Sequence, residues 1–396
     1  MLNQVSVSER QRIKVILAGI SAGILTVGIA RFAYTPFLPL MLSQTNLSII
    51  DGGWLATFNY LGYFTGIILV SFTNKLKFKF RFYQLSLVVA VLSTIAMGLT
   101  TNLIIWSVLR FASGLTSTAG IILASGFVLS WLKHQGFKPQ LGLHFTFIGL
   151  GITIPGLAIV VMNHFFDWSI QWIIMGLFGI VFLIPAWRWM PVPHLFTPKS
   201  VTDYHAPSKQ WMWLMIAAYS CAGVGYVISA TFIVAVLEAM PILTGKGDWI
   251  WVLLGLAAIP SCFLWDKLAQ RAGEIKTLIL VYSLQIVAIL IPTLSDNLFA
   301  NILGAMIFGA TFSGIVSLML TFIGHKFPNN PAKAMARLTL SYGIAQMVAP
   351  TIAGYLSSTT QSYSIALWFA STTLLLGIVF LLFILHEENK QNTPTT

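Results

Sequence analysis

The chain has 396 residues, of which 57% are hydrophobic and 8% are charged, and its formal net charge is +11. A soluble domain carries about 25% charged residues, so this composition excludes a soluble protein and indicates a chain that lies in lipid. The two cysteines, Cys221 and Cys262, fall inside apolar runs, and their placement supports neither a disulfide nor a metal site.

Twelve apolar segments follow one another along the chain, each close to the roughly 20 residues that a membrane-spanning helix needs. We predict spans at about 15–41, 52–73, 83–100, 103–131, 140–162, 168–189, 211–237, 249–267, 276–293, 298–324, 335–357 and 363–385. The first is too long for the apolar part of a secretory signal, so we expect it to be retained. The longest connection, 191–210, contains four prolines and is predicted to be a cytoplasmic linker between two six-helix bundles, 1–190 and 211–396.

The two predicted bundles repeat each other in register. Lys138 and Pro155 lie 17 residues apart, as do Lys333 and Pro350, and the two prolines are 195 residues apart. Duplicated apolar halves are typical of secondary transporters, in which the solute site lies where the halves meet. The same shift carries Gly28 onto Gly223, Trp54 onto Trp249 and Gly114 onto Gly309.

Lysine and arginine are concentrated in alternate connections of the predicted helices. The other connections carry one basic residue, Lys246. Because loops rich in Lys and Arg stay in the cytoplasm, we predict a multi-pass membrane protein with both termini cytoplasmic. Charges arranged in this way form a ring at the membrane surface, so the net charge does not indicate nucleic-acid binding. The outer connections hold instead Asp51, Asp167, Asp248 and Asp296.

Two arginines lie well inside predicted spans. Arg31 is about 10 residues from the outer end of its helix and Arg110 about 7, which places them roughly 15 Å and 10 Å deep. A charge inside the membrane costs about 2.5–3.5 kcal/mol on insertion scales and usually faces a cavity or a partner. We predict that both arginines line one polar cavity. The alternative is that either one binds backbone carbonyls where helices cross.

The duplication relates Arg31 to position 226, which is a tyrosine. Tyr219, Gly223 and Tyr226 share one face of a helix by their spacing, and the equivalent face of the first span holds Gly28 and Arg31. Arginine offers a planar two-point fork to a carboxylate or phosphate, and tyrosine offers apolar area and one hydroxyl. The pair therefore predicts a solute with an acidic end and an apolar body.

Other polar residues inside the predicted spans give weaker signals. Glu238 is the acidic residue nearest the membrane interior, and His144 has a side chain that titrates near pH ~6.5 when unperturbed, so both are proton-coupling candidates. No cluster of side chains suggests a metal or a catalytic group. The residues predicted to shape the solute site around the arginines are Tyr34, Asn59, Tyr63, Tyr226 and Gln346.

Several motifs resemble the major facilitator superfamily. Arg110-Phe-Ala-Ser-Gly114 is similar to its fourth-helix Arg-x-x-x-Gly motif, and the segment from Asp266 and Lys267 to Arg271 resembles its cytoplasmic gating-loop motif. The resemblance implies an all-α integral membrane protein with twelve transmembrane helices in two pseudo-symmetric six-helix bundles. It also implies that helices 1, 4, 7 and 10 line the central cavity.

A closer resemblance is to the uncharacterised YbfB/YjiJ-type branch of that superfamily. Its first-helix motif is matched by the segment from Gly28 to Met41, and its second by the segment from Trp54 to Tyr63. The resemblance continues through 223–232 and 309–312 in the second half. It implies a transporter without naming the solute.

We therefore predict a secondary active transporter of a small organic solute, anionic or amphipathic, that works by alternating access and is driven by an ion gradient such as protons. One alternative is a proton-coupled efflux antiporter for drugs or metabolites, which usually needs a buried carboxylate. A membrane-embedded enzyme is disfavoured because it would call for clustered His, Asp or Glu, such as His-Glu-x-x-His. No nucleotide-binding motif is present, and we expect no cofactor. The expected partners are the solute and lipid, and the protein is expected to be a monomer.

Overall fold

The computed structural model describes residues 9–73, 75–137, 144–192, 207–238, 240–241, 245–327, 331–360 and 362–392, and nearly all of them are helical. Most of the predicted linker, 193–206, and Lys138 lie outside the described residues. Backbone N–H and C=O groups find no partner in lipid, so a helix lets an apolar segment cross it. The prediction of an all-helical fold is confirmed.

Each predicted span coincides with one helix, or with helices in series, numbered here α1 to α12. In the described part of the chain, nine helices are long and apolar enough to cross a membrane, and the bent α8 makes a tenth. Twelve crossings additionally require the shorter α5 and the more polar α11 to span, so that number stays a prediction. The bounds are α1 Glu9–Gln44, α2 Ile49–Ser71, α3 Leu76–Met97, α4 Leu103–Leu132, α5 Phe147–Met162, α6 Trp168–Arg188, α7 Lys209–Glu238, α8 Gly247–Ala258 with Ser261–Ala272, α9 Glu274–Leu294, α10 Leu298–Lys326, α11 Pro331–Thr360 and α12 Ser364–Asn392.

The helix ends alternate between two faces of the molecule. Lys14 Nζ lies 6.0 Å from the ring centroid of Trp189, which places the start of α1 beside the end of α6. Lys326 and Glu388 form a salt bridge of 2.6 Å, which joins the ends of α10 and α12. We call this side, which carries both ends of the described chain, the terminal face, and the opposite side the distal face.

The two halves pack their own helices through equivalent contacts. A Cβ at Gly114 of α4 would lie 2.7 Å from the carbonyl carbon of Asn59 on α2. A Cβ at Gly309 of α10 would lie 2.8 Å from the carbonyl carbon of Leu254 on α8. The shift of 195 residues carries Asn59 onto Leu254 and Gly114 onto Gly309. The repeat in the sequence is therefore also a repeat in helix packing, where only glycine lets the backbones approach so closely.

The halves meet along two equivalent seams, α2 with α11 and α5 with α8. The hydroxyl oxygens of Thr57 on α2 and Thr351 on α11 are 2.7 Å apart. On the other seam, a Cβ at Gly156 of α5 would lie 2.9 Å from Cγ2 of Val252 on α8. The same shift carries Thr57 onto Val252 and Gly156 onto Thr351. The seams are thus related by the pseudo-twofold symmetry of the duplication.

Additional contacts join the halves towards the distal face. The hydroxyl of Thr35 on α1 donates to the backbone oxygen of Ala230 on α7 at 2.6 Å, and these two positions are equivalent under the shift. At the distal end of the second seam, Asn163 Nδ2 donates to Asp248 Oδ2. By contrast, the terminal-face segments of α4 and α8 pack chiefly against helices of their own half. Within the described residues, the halves are therefore closed on the distal side.

Helix α8 differs from the continuous span that we predicted over 249–267. It bends by 42° between Ala258 and Ser261, because Pro260 lacks an N–H and crowds the preceding turn. The gating-loop residues Asp266, Lys267 and Arg271 lie in the last turns of Ser261–Ala272, so their assignment to a loop is wrong. A helix ending in basic residues complements the negative end of its own dipole. The loop that follows is Gly273 alone, at φ +94°.

Candidate functional site

Arg31 lies in a π-helical stretch of α1, Ile24–Phe32. The N–H of Ala33 donates to the oxygen of Gly28, five residues back, at 2.9 Å. The wider turn leaves backbone oxygens available to other donors, and that of Ala30 accepts from Arg110 Nη1 at 3.1 Å. Such turns are frequent at functional sites in helices. The local backbone therefore sets this segment apart from the rest of α1.

The prediction that Gly28 and Arg31 share one face is wrong. Gly28 packs against the backbone of Gly151 on α5, whereas the guanidinium of Arg31 lies over aromatic rings of α2. The π-helical turn changes the angle between residues three apart, so α-helical spacing does not apply here. On α7, which is α-helical, Tyr219 and Tyr226 do share a face, because both rings stack on the Tyr342 ring.

The guanidinium of Arg31 sits among tyrosines from both halves. Its central carbon lies 4.5 Å from the ring centroid of Tyr60 and 4.8 Å from that of Tyr63, both on α2. It is also close enough to Tyr226 on α7 for electrostatic contact. The structure thus brings together three residues of the predicted site, Arg31, Tyr63 and Tyr226, and adds Tyr60.

Arg110 lies next to this group but has its own contacts. Its central carbon is 4.3 Å from the ring centroid of Tyr34, whose hydroxyl donates to the oxygen of Gly52 at 2.9 Å. Arg110 is also within electrostatic reach of Arg31 and Tyr60. One of its nitrogens binds the Ala30 carbonyl, so Arg110 ties α4 to α1, as the alternative in the sequence analysis has it, and its part in a solute site stays a prediction.

The two guanidiniums are buried without a countercharge. Arg31 is 5% exposed and Arg110 3%, and no Asp or Glu oxygen among the described residues lies within salt-bridge distance of either. The Nε atom of each has no hydrogen-bond partner among those residues. Burial of an unpaired charge costs several kcal/mol, and a cation–π contact returns roughly 0.5–2 kcal/mol. The site therefore has positive charge that the described residues do not neutralise.

The remaining predicted residues differ in what they contact. Asn59 Nδ2 donates to the backbone oxygen of Arg110 at 3.0 Å and to Ser113 Oγ at 2.8 Å, so Asn59 joins α2 to α4. Gln346 lies on α11 one turn from Tyr342, and its Oε1 is buried with no hydrogen-bond partner in the described structure. Asn59 positions the arginine-bearing helix, whereas the amide oxygen of Gln346 has no assigned bond.

An aromatic column forms the wall of the second half. Four rings lie nearly parallel: Tyr219 and Tyr226 from α7, Phe312 from α10 and Tyr342 from α11. Consecutive centroids are 4.5 Å apart for Tyr219 and Tyr342, 6.0 Å for Tyr342 and Tyr226, and 5.1 Å for Tyr226 and Phe312. Tyr342 and Phe312 were not predicted as site residues. No spacing in the sequence marks them, because their contacts join three separate helices.

The two proton-coupling candidates lie away from the arginines and near opposite faces. Glu238 ends α7 at the distal face, and its carboxylate accepts from the N–H groups of Gly245 at 2.7 Å and Gly247 at 2.8 Å. His144 is buried at the other end of the first half, where its Nε2 lies 2.7 Å from Ser125 Oγ and its Nδ1 has no partner among the described residues. Neither contacts the residues around Arg31.

Two halves in pseudo-twofold repeat, with a charged site at their junction, define a membrane transporter of the major facilitator type. The chain belongs to the family described as uncharacterised MFS-type transporter YbfB, whose model matches residues 23–382. This match confirms the predicted family resemblance and the prediction of a multi-pass membrane transporter. It also agrees with the prediction that the protein is not an enzyme.

Individual relatives are distant. The Bacillus subtilis (strain 168) protein named uncharacterized transporter YycB is 24% identical over 269 residues, which cover 63% of this chain and 65% of that protein. The match thus spans just under two thirds of the relative.

Solved structures show the same fold at low identity. The nucleoside transporter NupG superimposes with a TM-score of 0.75 at 9% identity, covering 95% of this chain and 99% of that one. A bacterial homologue of the human lysosomal transporter Spinster, inward-facing and occupied, gives 0.70 at 15% identity, covering 98% and 100%. Both similarities concern the fold alone.

Proposed function

We propose that the protein is a secondary active transporter of a small organic anion with an apolar body, which works by alternating access and is driven by an ion gradient. The observation that carries the proposal is the burial of Arg31 and Arg110 without a carboxylate partner among the described residues. A bound anion would supply the missing countercharge. It would also remove much of the cost of holding two like charges close together in a low-dielectric interior.

The hydrogen-bonding state of Arg31 supports a carboxylate or phosphate as the charged group. Its Nε is buried and has no hydrogen-bond partner within the described chain. The Nε–H bond forms one edge of the planar guanidinium together with a parallel Nη–H bond. Two parallel N–H donors fit the two oxygens of a carboxylate, and such charge-assisted bonds are about twice as strong as neutral ones. Tyr60, Tyr63 and Tyr226 would surround the ligand with apolar area and hydroxyl groups.

Alternating access is supported by the way in which the halves meet. The seams α2–α11 and α5–α8 are related by the duplication, and the site lies between them. Rocking of one half against the other about such a site exposes it to each side in turn. The contacts Thr35–Ala230 and Asn163–Asp248 join the halves on the distal side, so the described state belongs to the part of the cycle that is closed there.

Protons are the coupling ion that we propose, with Glu238 or His144 as carrier. Glu238 lies where the halves approach each other at the distal face, within electrostatic reach of Asp248. His144 is enclosed by α1, α4 and α5, with Nδ1 unbonded among the described residues. Protonation of either would change hydrogen bonds that join separate helices, as a coupling group must.

We further propose that the terminal face is cytoplasmic, that the membrane is the bacterial inner membrane and that the protein is a monomer. The supporting feature is the concentration of Lys and Arg in the connections of the terminal face. Reporter fusions after Lys209 and Lys390 should read as cytoplasmic, and a fusion after Asp167 as external. One reversed reading among the three would contradict the orientation.

The experiment that tests the solute class is a thermal-shift screen of the purified protein. The ligands are organic acids, each paired with its neutral amide, together with cationic drugs. A ligand that binds the native state raises the apparent unfolding temperature by an amount that grows with its concentration relative to Kd. We expect stabilisation by one or more acids and none by the matched amides. Stabilisation by cationic drugs alone would contradict the proposal and favour efflux of cations.

A further inference from the structure

The aromatic column of the second half contains four rings, Tyr219, Tyr342, Tyr226 and Phe312, in nearly parallel planes, and Phe308 stacks on Phe312 at 24°. Successive interplanar angles are 26°, 22° and 21°. Elsewhere in this protein single pairs are either stacked, as Phe80 and Tyr83 are at 22°, or edge-to-face, as Trp106 and Trp168 are at 86°, whereas here three successive pairs from three helices are stacked. A parallel column presents flat faces in one orientation, which suits a flat guest.

The widest step of this column, measured between the centroids of consecutive rings, is the one between Tyr226 and Tyr342. The Tyr226 and Tyr342 centroids are 6.0 Å apart, compared with 4.5 Å and 5.1 Å for the steps on either side. Both of these tyrosines are within electrostatic reach of the Arg31 guanidinium. A carboxylate held by Arg31 would therefore place the body of the solute beside this step, which is the widest of the three.

Gly223 makes the step possible. It lies on α7 between Tyr219 and Tyr226, and a Cβ there would lie 3.0 Å from the backbone oxygen of Tyr342 and 3.2 Å from its Cδ2. The missing side chain lets the Tyr342 ring pack against α7 between the rings of Tyr219 and Tyr226. A planar guest needs about 3.5 Å to the ring on each side, so α7 and α11 would separate by ~1 Å or more to admit it.

We propose that the transported anion is an aromatic carboxylate, or another flat conjugated one, whose ring inserts between Tyr226 and Tyr342 while its carboxylate binds Arg31. The inference rests on the proposed function, since it needs an anion at Arg31, and it adds the chemistry of the solute's body. Tyr342 then determines specificity for flat solutes, although it contributes no charge. A saturated ring of the same size is thicker than an aromatic one and has no π-face to stack.

The test compares carboxylates that differ only in the flatness of the ring. The probes are benzoate with cyclohexanecarboxylate, phenylacetate with cyclohexylacetate, and 3-phenylpropionate with 3-cyclohexylpropionate, which vary the distance between ring and charge. Dissociation constants are measured by titration calorimetry on the purified full-length protein. We expect the aromatic member of the best-binding pair to bind roughly three- to tenfold more tightly, the amount that one or two stacked contacts contribute. Its ring protons should also shift upfield in NMR spectra.

Matched variants assign the effect to the column. Tyr342→Leu removes the ring and should abolish the preference for the aromatic member, whereas Tyr342→Phe keeps the ring and should retain it within about twofold. Arg31→Lys should weaken both members of each pair. The wild-type comparison does not depend on whether a variant folds, so the proposal remains testable if Tyr342→Leu is lost.

The outcomes separate this inference from the function on which it rests. Equal affinity for both members of every pair, with a loss of both in Arg31→Lys, would overturn the stacking proposal and leave the anion transporter intact. If none of the six carboxylates binds, the stacking proposal is overturned. If the organic acids in the thermal-shift screen also fail to stabilise the protein, the proposed function is overturned as well. A preference that persists in Tyr342→Leu would overturn the assignment of the ring to this step.

Discussion

Substitution of alanine for Gly114 or Gly309 should destabilise the protein by the same mechanism in each half. The new Cβ would lie 2.7 Å from the carbonyl carbon of Asn59 in one case and 2.8 Å from that of Leu254 in the other. Non-bonded carbon atoms prefer separations of about 3.5 Å or more. The carbonyl oxygens of Asn59 and Leu254 would lie nearer still, so helix α4 must move away from α2, or α10 from α8, by more than ~1 Å.

The size of the effect follows from two opposing terms. Overpacking costs about 1–3 kcal/mol, and the better helix propensity of alanine returns up to ~1 kcal/mol. The net loss should be ~1–2 kcal/mol for each substitution. Gly126, also on α4, is the matched control, because a Cβ there meets nothing within 4 Å. Gly126→Ala should be neutral or slightly stabilising.

The assay is thermal unfolding of the purified single variants and of the Gly114→Ala/Gly309→Ala double variant. The apparent unfolding temperature should fall in both single variants. The two losses should add in the double variant, since the contacts lie in different halves and share no residue. An unchanged temperature in either single variant would refute the view that the two halves depend on the same close backbone approach. A fall of equal size in Gly126→Ala would do so as well.

Two other predictions concern the distal contacts and coupling. Asn163→Ala removes the side-chain link to Asp248, worth ~1 kcal/mol at an exposed position. A cysteine in Val234→Cys, buried on α7 one turn from Ala230, should therefore react faster with an impermeant maleimide in the Asn163→Ala background. An unchanged rate would show that the link does not hold the distal side closed. If protons drive transport through Glu238, Glu238→Gln should remove the pH dependence of uptake, and His144→Asn tests the second carrier. A wild-type pH profile in both variants would exclude both residues.

Much of the fold could be predicted because it depends on features that run along the chain. Apolar segments of spanning length mark the helices, and a constant shift of 195 residues relates the halves. The same shift relates the contacts of Gly114 with Asn59 and of Gly309 with Leu254. These are consequences of hydropathy and duplication, which one sequence reveals without three-dimensional information.

The face of Arg31 could not be predicted in this way. Its direction depends on a π-helical stretch, Ile24–Phe32, which forms where Gly28 packs against Gly151 and where Arg110 takes the carbonyl of Ala30. Those partners come from α4 and α5, and the spacing of residues within α1 does not reveal them. Spacing rules for an α-helix then give a wrong face.

The second half of the site was missed for a related reason. Tyr342 joins Tyr219 and Tyr226 only because Gly223 lets α11 approach α7. The sequence shows the glycine between two tyrosines on one helix, but it does not show which ring fills the gap.

The most direct test of the central claim is the affinity of Arg31 variants for an anion that the screen identifies. Arg31→Lys keeps the charge but loses the planar fork, so it should weaken binding by about 1.5–3 kcal/mol, or more than tenfold. Arg31→Ala should weaken it at least as much. Both variants should fold, since Arg31→Ala removes an intramembrane charge and so lowers the cost of insertion, and Arg31→Lys leaves the charge as it is. Arg337→Lys, at an exposed position on α11, is the matched control and should bind as the wild type does. Unchanged affinity in Arg31→Lys and Arg31→Ala, with a collapse in folded yield, would show that Arg31 is a structural residue and would contradict an anion site at the junction of the halves.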